Sequence, residues 1–190
     1  MGGCATARTE DPPMPLPTKR DSTTFAHFTD EMDRALLRRA NAAGWRAREN
    51  GDDPYGCVLA DIDGTVVAEG ECHVRRTGDP TRHGEMMMIR NALDAVGPEA
   101  LATCSAYVSG GPCVMCTGAL YWAGIGRLVY AVDIGAPDNR DHTETGVKPS
   151  LRTGFRDILA SGSRVMVVDG PYPELRDEIL ARFEGYVFTG

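Results

Sequence analysis

Ser105-Ala106-Tyr107-Val108-Ser109, then Val114-Met115-Cys116-Thr117-Gly118-Ala119-Leu120-Tyr121-Trp122-Ala123, then Leu128-Val129-Tyr130-Ala131-Val132 form a passage of alternating character. The outer runs are short and rich in apolar and aromatic residues, which suits buried strands. The middle run is long enough for a helix, and Pro112 stands at its start, where helices favour proline. Strand, helix and strand at this spacing predict a layered α/β fold with crossover helices covering a sheet. Upstream, Gly56–Ile62 and Thr65–Glu69 flank Asp63-Gly64, a dipeptide favoured in tight hairpin turns. Before the hairpin, Met32, Leu36, Ala40, Ala43 and Ala47 recur at helical spacing behind Thr29, a suitable cap. A polar loop, Arg75 to Arg82, leads into a helix over Gly84–Val96. Downstream, the pattern predicts a helix near Leu151–Ala160, a strand at Val165–Val168 and a last helix at Glu174–Glu184.

The chain has 190 residues, 42% hydrophobic and 25% charged, the composition of a folded domain. Residues 1–24, with Pro12, Pro13, Pro15 and Pro17, read as an exposed tail, and 25–190 as the domain. No run approaches the ~18 unbroken apolar residues of a membrane span, and the N-terminus lacks a signal peptide's apolar core. A cytoplasmic protein with reduced cysteines is therefore expected. The net charge of −7 disfavours a phosphate backbone as partner. Arg75, Arg76 and Arg82 could form a phosphate site, but a solvated loop face is the commoner meaning of such a cluster.

Six cysteines are too few for a disulfide scaffold, and in a reducing setting a close pair suggests a metal or redox site. Cys113 and Cys116 lie one turn apart at a helix start, where the backbone dipole favours thiolates. His83 opens the preceding helix and can add a neutral nitrogen. Two sulfurs and a nitrogen leave a fourth tetrahedral position open, the layout of a catalytic zinc. Zinc with two thiolates is formally neutral and acidifies water less than a three-histidine site. A nearby base then matters, and Glu85 is the candidate, provided that His83 caps the helix and Glu85 sits in its first turn. Two other readings stay open: a thioredoxin-like redox pair, or a structural zinc closed by Cys104, His142 or Cys57.

Gly78-Asp79-Pro80-Thr81-Arg82-His83-Gly84-Glu85 and Pro112-Cys113-Val114-Met115-Cys116-Thr117-Gly118-Ala119-Leu120-Tyr121-Trp122-Ala123 resemble the two signature segments of the cytidine deaminase-like zinc deaminases. The likeness runs from about Met32 to Asp133. Within that superfamily it is greatest to bacterial guanine deaminases, with tRNA adenosine deaminases sharing a shorter version. The resemblance implies a three-layer α/β/α fold with a mixed central sheet of about five strands, and a homodimer. It implies one Zn2+ per chain on His83, Cys113 and Cys116, with the metal activating water for attack on the amino-bearing ring carbon. It assigns proton transfer to Glu85, and to Gly84 a backbone N–H offered to the substrate carbonyl. Tyr55 matches an aromatic pocket position.

Three positions depart from the pattern. Cys72 replaces an asparagine that binds the base, Gly111 replaces a glutamate before Pro112, and Gly84 replaces an alanine. Cys72 is a far poorer hydrogen-bonding group than asparagine, so the change bears on substrate rather than on metal. Counted without gaps from the cysteine motif, Glu144 aligns with a carboxylate that guanine deaminases bring to the base edge. The acidic last helix argues against a tRNA substrate. The expected substrate is a small amino-heterocycle, base or nucleoside, with guanine first and tRNA adenosine as the alternative. A non-catalytic zinc-binding module is the alternative of another class.

Overall fold

Thr29 caps the first long helix as its sequence suggests: its hydroxyl accepts the Met32 N–H, and α1 runs Asp30–Glu49. The computed structural model describes residues 15–133, 151 and 153–187. The hairpin is β1 (Gly56–Ala60) and β2 (Val66–Glu71). The deciding passage gives β3 (Ser105–Gly110), α4 (Val114–Trp122) and β4 (Arg127–Val132), after α2 (Val74–Thr77) and α3 (Gly84–Val96). α5 (Phe155–Ala160), β5 (Val167–Asp169) and α6 (Arg176–Leu180) follow. The five strands lie in the order β2-β1-β3-β4-β5, with β1 antiparallel to both neighbours and β3, β4 and β5 parallel.

Helices cover both faces, which is the expected three-layer arrangement. Alternate strand residues divide between two cores. Cys57, Leu59, Val108, Leu128 and Tyr130 pack with Met88, Ile89 and Leu120 on the side of α3 and α4. Val58, Ala60, Tyr107, Val129 and Ala131 pack with Leu37, Ala40 and Ile179 on the side of α1 and α6. Glycine permits the closest approaches. A Cβ on Gly56 would meet Gly44 N at 2.2 Å, and one on Gly70 would meet Gly84 O at 2.0 Å. The start of α3 is thereby pressed onto β2. No helix among the described residues is long and apolar enough to cross a membrane.

Several expectations need correction. The loop after Cys72 contains the short helix α2, whose Arg75 and Arg76 N–H groups are held by Asp52 Oδ1. The last helix is broken: α6 is flanked by 3-10 turns at Pro173–Leu175 and Ala181–Phe183. α5 starts later than expected, at Phe155, and Val165 is exposed ahead of β5. Trp122 is 86% exposed on this chain, because Cys116 and Leu120 take the inward face of α4.

The stretch before residue 24, expected to be an exposed tail, is docked from Pro17 onwards. Val168 donates to the Pro17 carbonyl at 2.8 Å, and Lys19 is buried with its ammonium 2.6 Å from Asp33. Asp33 also pairs with buried Arg127 at 2.6 Å and accepts from Tyr172 at 2.7 Å, while Asp169 holds Arg127 at 2.7 Å. Burial pushes the Asp33 carboxyl up, but Arg127, Lys19 and Tyr172 outweigh it and hold it below the usual carboxylate range. A lowered folded-state value means that this stability is present above the ordinary range and lost as pH falls beneath it. Asp33→Asn is expected to lose about 3 kcal/mol at neutral pH by removing the buried carboxylate that Arg127 and Lys19 share, leaving each with a single carboxylate, Asp169 and Asp30. It should also flatten the loss of stability between about pH 5 and pH 3. Denaturant titrations across that range check both; equal stability and an equal acid slope would sink the prediction.

Candidate active site

The site is assembled from two helix starts on one side of the sheet. His83 is the N-cap residue of α3, with Gly84 first in the helix and Glu85 in its first turn. Cys113 is the N-cap residue of α4 and its sulfur accepts the Cys116 N–H at 3.5 Å. β3 ends just before Cys113, so strand and helix together aim both sulfurs at α3. His83 Nδ1 lies 3.6 Å from Cys113 Sγ and 3.5 Å from Cys116 Sγ. Glu85 Oε2 lies 3.3 Å from Cys116 Sγ. Cap position and first turn therefore bring His83 and Glu85 to one place.

The donor set fits a zinc ion. The three donor atoms lie within 4.8 Å of one another. Ligands about 2.0–2.1 Å (nitrogen) and 2.3 Å (sulfur) from a shared tetrahedral centre stand about 3.6 Å apart. The two measured nitrogen–sulfur separations match that spacing. Cys113 is pushed down to about 4, first by its hydrogen bond with Cys116 and then by His83 against the opposing effect of burial. Cys116 is pushed well above its usual value by the same hydrogen bond and by burial. His83 is raised, first through its hydrogen bond to Cys113. Glu85 is raised by desolvation and then by the Cys113 charge, opposed by His83.

The structural-zinc alternative needs a fourth ligand. Cys57 Sγ is directed at the Gly70 carbonyl and Cys104 Sγ at the Ala100 carbonyl, and neither belongs to the cluster. His142 and Glu144 lie outside the described residues. The redox-pair alternative leaves the placement of His83 and Glu85 without a role.

Around this centre, Tyr55 is half-buried, its ring edge-on to Phe183 at 5.4 Å and its carbonyl accepting the Cys72 N–H at 3.0 Å. Burial raises the Tyr55 hydroxyl, with Arg182 opposing and Asp53, Glu85 and Cys72 adding to the rise. Cys72 is buried and pushed up to about 11, chiefly by desolvation, and is a neutral thiol. Gly84 is buried, and a Cβ there would stand 3.3 Å from the Tyr55 carbonyl. At Gly111 a Cβ would meet Phe155 at 3.0 Å and Asp133 Oδ1 at 3.3 Å, so the glycine accommodates neighbours that a glutamate would displace.

The arginines of the Arg75–Arg82 segment are paired with carboxylates and partly solvated. Arg75 pairs with Asp53 at 2.9 Å, Arg76 with Asp52, and Arg82 with Asp79 at 3.3 Å. Sequence reasoning missed the C-terminal contribution: Phe183 against Tyr55, and Tyr186 donating to Asp53 at 2.9 Å. One signal was available. Leu175, Ile179 and Arg182 share one helical stripe, which puts an arginine on the buried face.

Comparison with known proteins bears on this geometry. Residues 30–132 match the family model described as the cytidine and deoxycytidylate deaminase zinc-binding region. The chain is 33% identical over 158 residues to a "Probable cytosine deaminase" of Schizosaccharomyces pombe, covering 82% of this chain and 93% of that protein. It is 38% identical over 125 residues to a tRNA-specific adenosine deaminase of Agrobacterium fabrum, covering 65% of this chain and 76% of that one. Guanine deaminase of Bacillus subtilis is 41% identical over 98 residues, covering 52% of this chain and 59% of that enzyme. The solved structure of that guanine deaminase superposes with a TM-score of 0.53 at 26% identity, covering 86% of this chain and 98% of the other.

Proposed function

Because the chain belongs to the cytidine and deoxycytidylate deaminase zinc-binding family, we propose that it is a hydrolytic deaminase of a small amino-heterocycle, with a guanine-like ring first. The observation that carries this reading is the convergence of His83, Cys113 and Cys116 beside the Glu85 carboxylate. His83, Cys113 and Cys116 hold the zinc, which when bound supplies the Lewis acidity that makes water a nucleophile near neutral pH. Glu85 carries protons. Its Oε2 takes one from the attacking water and passes it to a ring nitrogen as the oxygen joins the amino-bearing carbon. Glu85 then moves the remaining hydroxyl proton on that carbon to the amino group, the carbon–nitrogen bond breaks, and ammonia leaves as the carbonyl forms. Desolvation of Glu85 raises its basicity for this work. Gly84 offers a backbone N–H at the helix start, while Tyr55 and Cys72 line the ring's side of the pocket.

The net charge of −7 and the pairing of Arg75, Arg76 and Arg82 with carboxylates support a small ring over a polyanion. The likeness to the Agrobacterium tRNA-specific adenosine deaminase favours a second reading, a tRNA substrate. Exposed Trp122 on α4 supports a homodimer as the working form.

Ammonia release by the zinc-loaded protein from cytosine, adenine, guanine, their nucleosides and a tRNA tests the assignment. Release from guanine or another free ring, with none from tRNA, is expected. Release from tRNA alone would transfer the assignment to the second reading, and none from any compound would overturn both.

A further inference from the structure

Arg182 is a charged side chain near the site that this chemistry leaves unused. It lies in the turn Ala181–Phe183, with 0% of its surface exposed. Each of its three nitrogens donates to a neutral oxygen: Nε to the Pro54 carbonyl at 2.6 Å, Nη1 to Asn41 Oδ1 at 2.5 Å, and Nη2 to Ser109 Oγ at 2.8 Å. Burial pushes its pKa down to about 9, so it remains cationic at neutral pH. Among the described residues no carboxylate pairs with Arg182; a buried cation so placed is costly, and an apolar residue would continue the Leu175–Ile179 stripe at less cost. The fold also makes room for it. Gly44 sits inside α1, where glycine is unfavourable, and a Cβ there would meet the Arg182 stem and the Pro54 carbonyl at 3.1 Å.

Two of the three contacts lead to the site. Pro54 precedes Tyr55, whose ring rests on Phe183 and whose carbonyl receives the Cys72 N–H. Ser109 lies near the end of β3, shortly before Cys113, and its hydroxyl donates to the Gly56 carbonyl at 3.1 Å. One guanidinium thus joins the segment carrying the ring-facing wall to the strand end carrying the cysteines.

We propose that Arg182 is a positioning residue: its fork fixes the Pro54–Gly56 wall, and with it Tyr55 and Cys72, against the end of β3 that leads to Cys113. The catalytic consequence rests on the deaminase reading, whereas the geometric consequence does not.

The test compares Arg182→Met, Arg182→Lys and Ser109→Ala with the wild type as full-length, zinc-loaded proteins. Backbone hydrogen exchange and steady-state kinetics are the two readouts. Arg182→Met should keep its zinc and speed exchange at residues 55–57, 72–74 and 109–113 by about tenfold or more, leaving 128–131 in β4 unchanged. Its kcat/KM on the best ring should fall about 10- to 100-fold, mostly through KM, with Arg182→Lys recovering part of both effects. Should Arg182→Met fail to fold, Ser109→Ala is expected to loosen 55–57 and 109–113 alone. Unchanged exchange in these segments, or an equal rise across β4, overturns the proposal, as does local loosening with unaltered kinetics. A wild type that releases no ammonia from any ring defeats the deaminase reading, while the exchange pattern still decides the positioning role.

Discussion

Cys113→Ser and Cys116→Ser are each expected to lose zinc and turnover together. Three soft or borderline donors meet here, and His83 stands at ligand spacing from both sulfurs. A serine hydroxyl is a neutral, hard donor that does not replace a thiolate, so two ligands remain. The loss in zinc affinity should exceed the about 10- to 100-fold that changes outside the ligand shell cost. Fold loss is not the expected cause for Cys113, which is exposed at the cap of α4, where serine also caps well. Zinc per chain by elemental analysis, read beside circular dichroism and ammonia release, checks this. Either variant with full zinc and full turnover would remove that cysteine from the metal site.

Glu85→Gln is the second large effect. Glutamine has the shape of glutamate but cannot take a proton from water, so turnover should fall by about 10²- to 10⁴-fold with zinc still bound. Stability should move the other way. Desolvation and the Cys113 charge raise Glu85, so its ionised form destabilises the fold at neutral pH, and that penalty fades as pH falls and the carboxyl is protonated. A neutral isostere removes the penalty, so Glu85→Gln should melt at or above the wild-type temperature when both are compared as zinc-free proteins. Opposite signs in turnover and melting identify a group retained for chemistry. Near-normal turnover would make Glu85 structural.

Much of this site was legible because its residues sit where local rules act strongly. Pro112 and the cap positions of His83 and Cys113 locate two helix starts, and a helix start determines where the next few side chains point. The central strands were legible because burial on both faces makes them continuous apolar runs. What failed depended on distant partners. Lys19 belongs to a proline-rich stretch that looks exposed, and Asp30, Asp33 and the distant Asp169 bring it inside. The C-terminal helix breaks although its apolar stripe is regular, with Pro173 opening a 3-10 turn and Arg182 drawn inward by Asn41, Pro54 and Ser109.

The most direct test of the central claim is the source of oxygen during turnover. Zinc-loaded protein is incubated with its best ring from the panel in water enriched in oxygen-18, and ammonia and product mass are followed together. One ammonia released and one heavy oxygen gained per product molecule is the expected result. Ammonia without heavy oxygen in the ring product would contradict hydrolytic deamination at this centre.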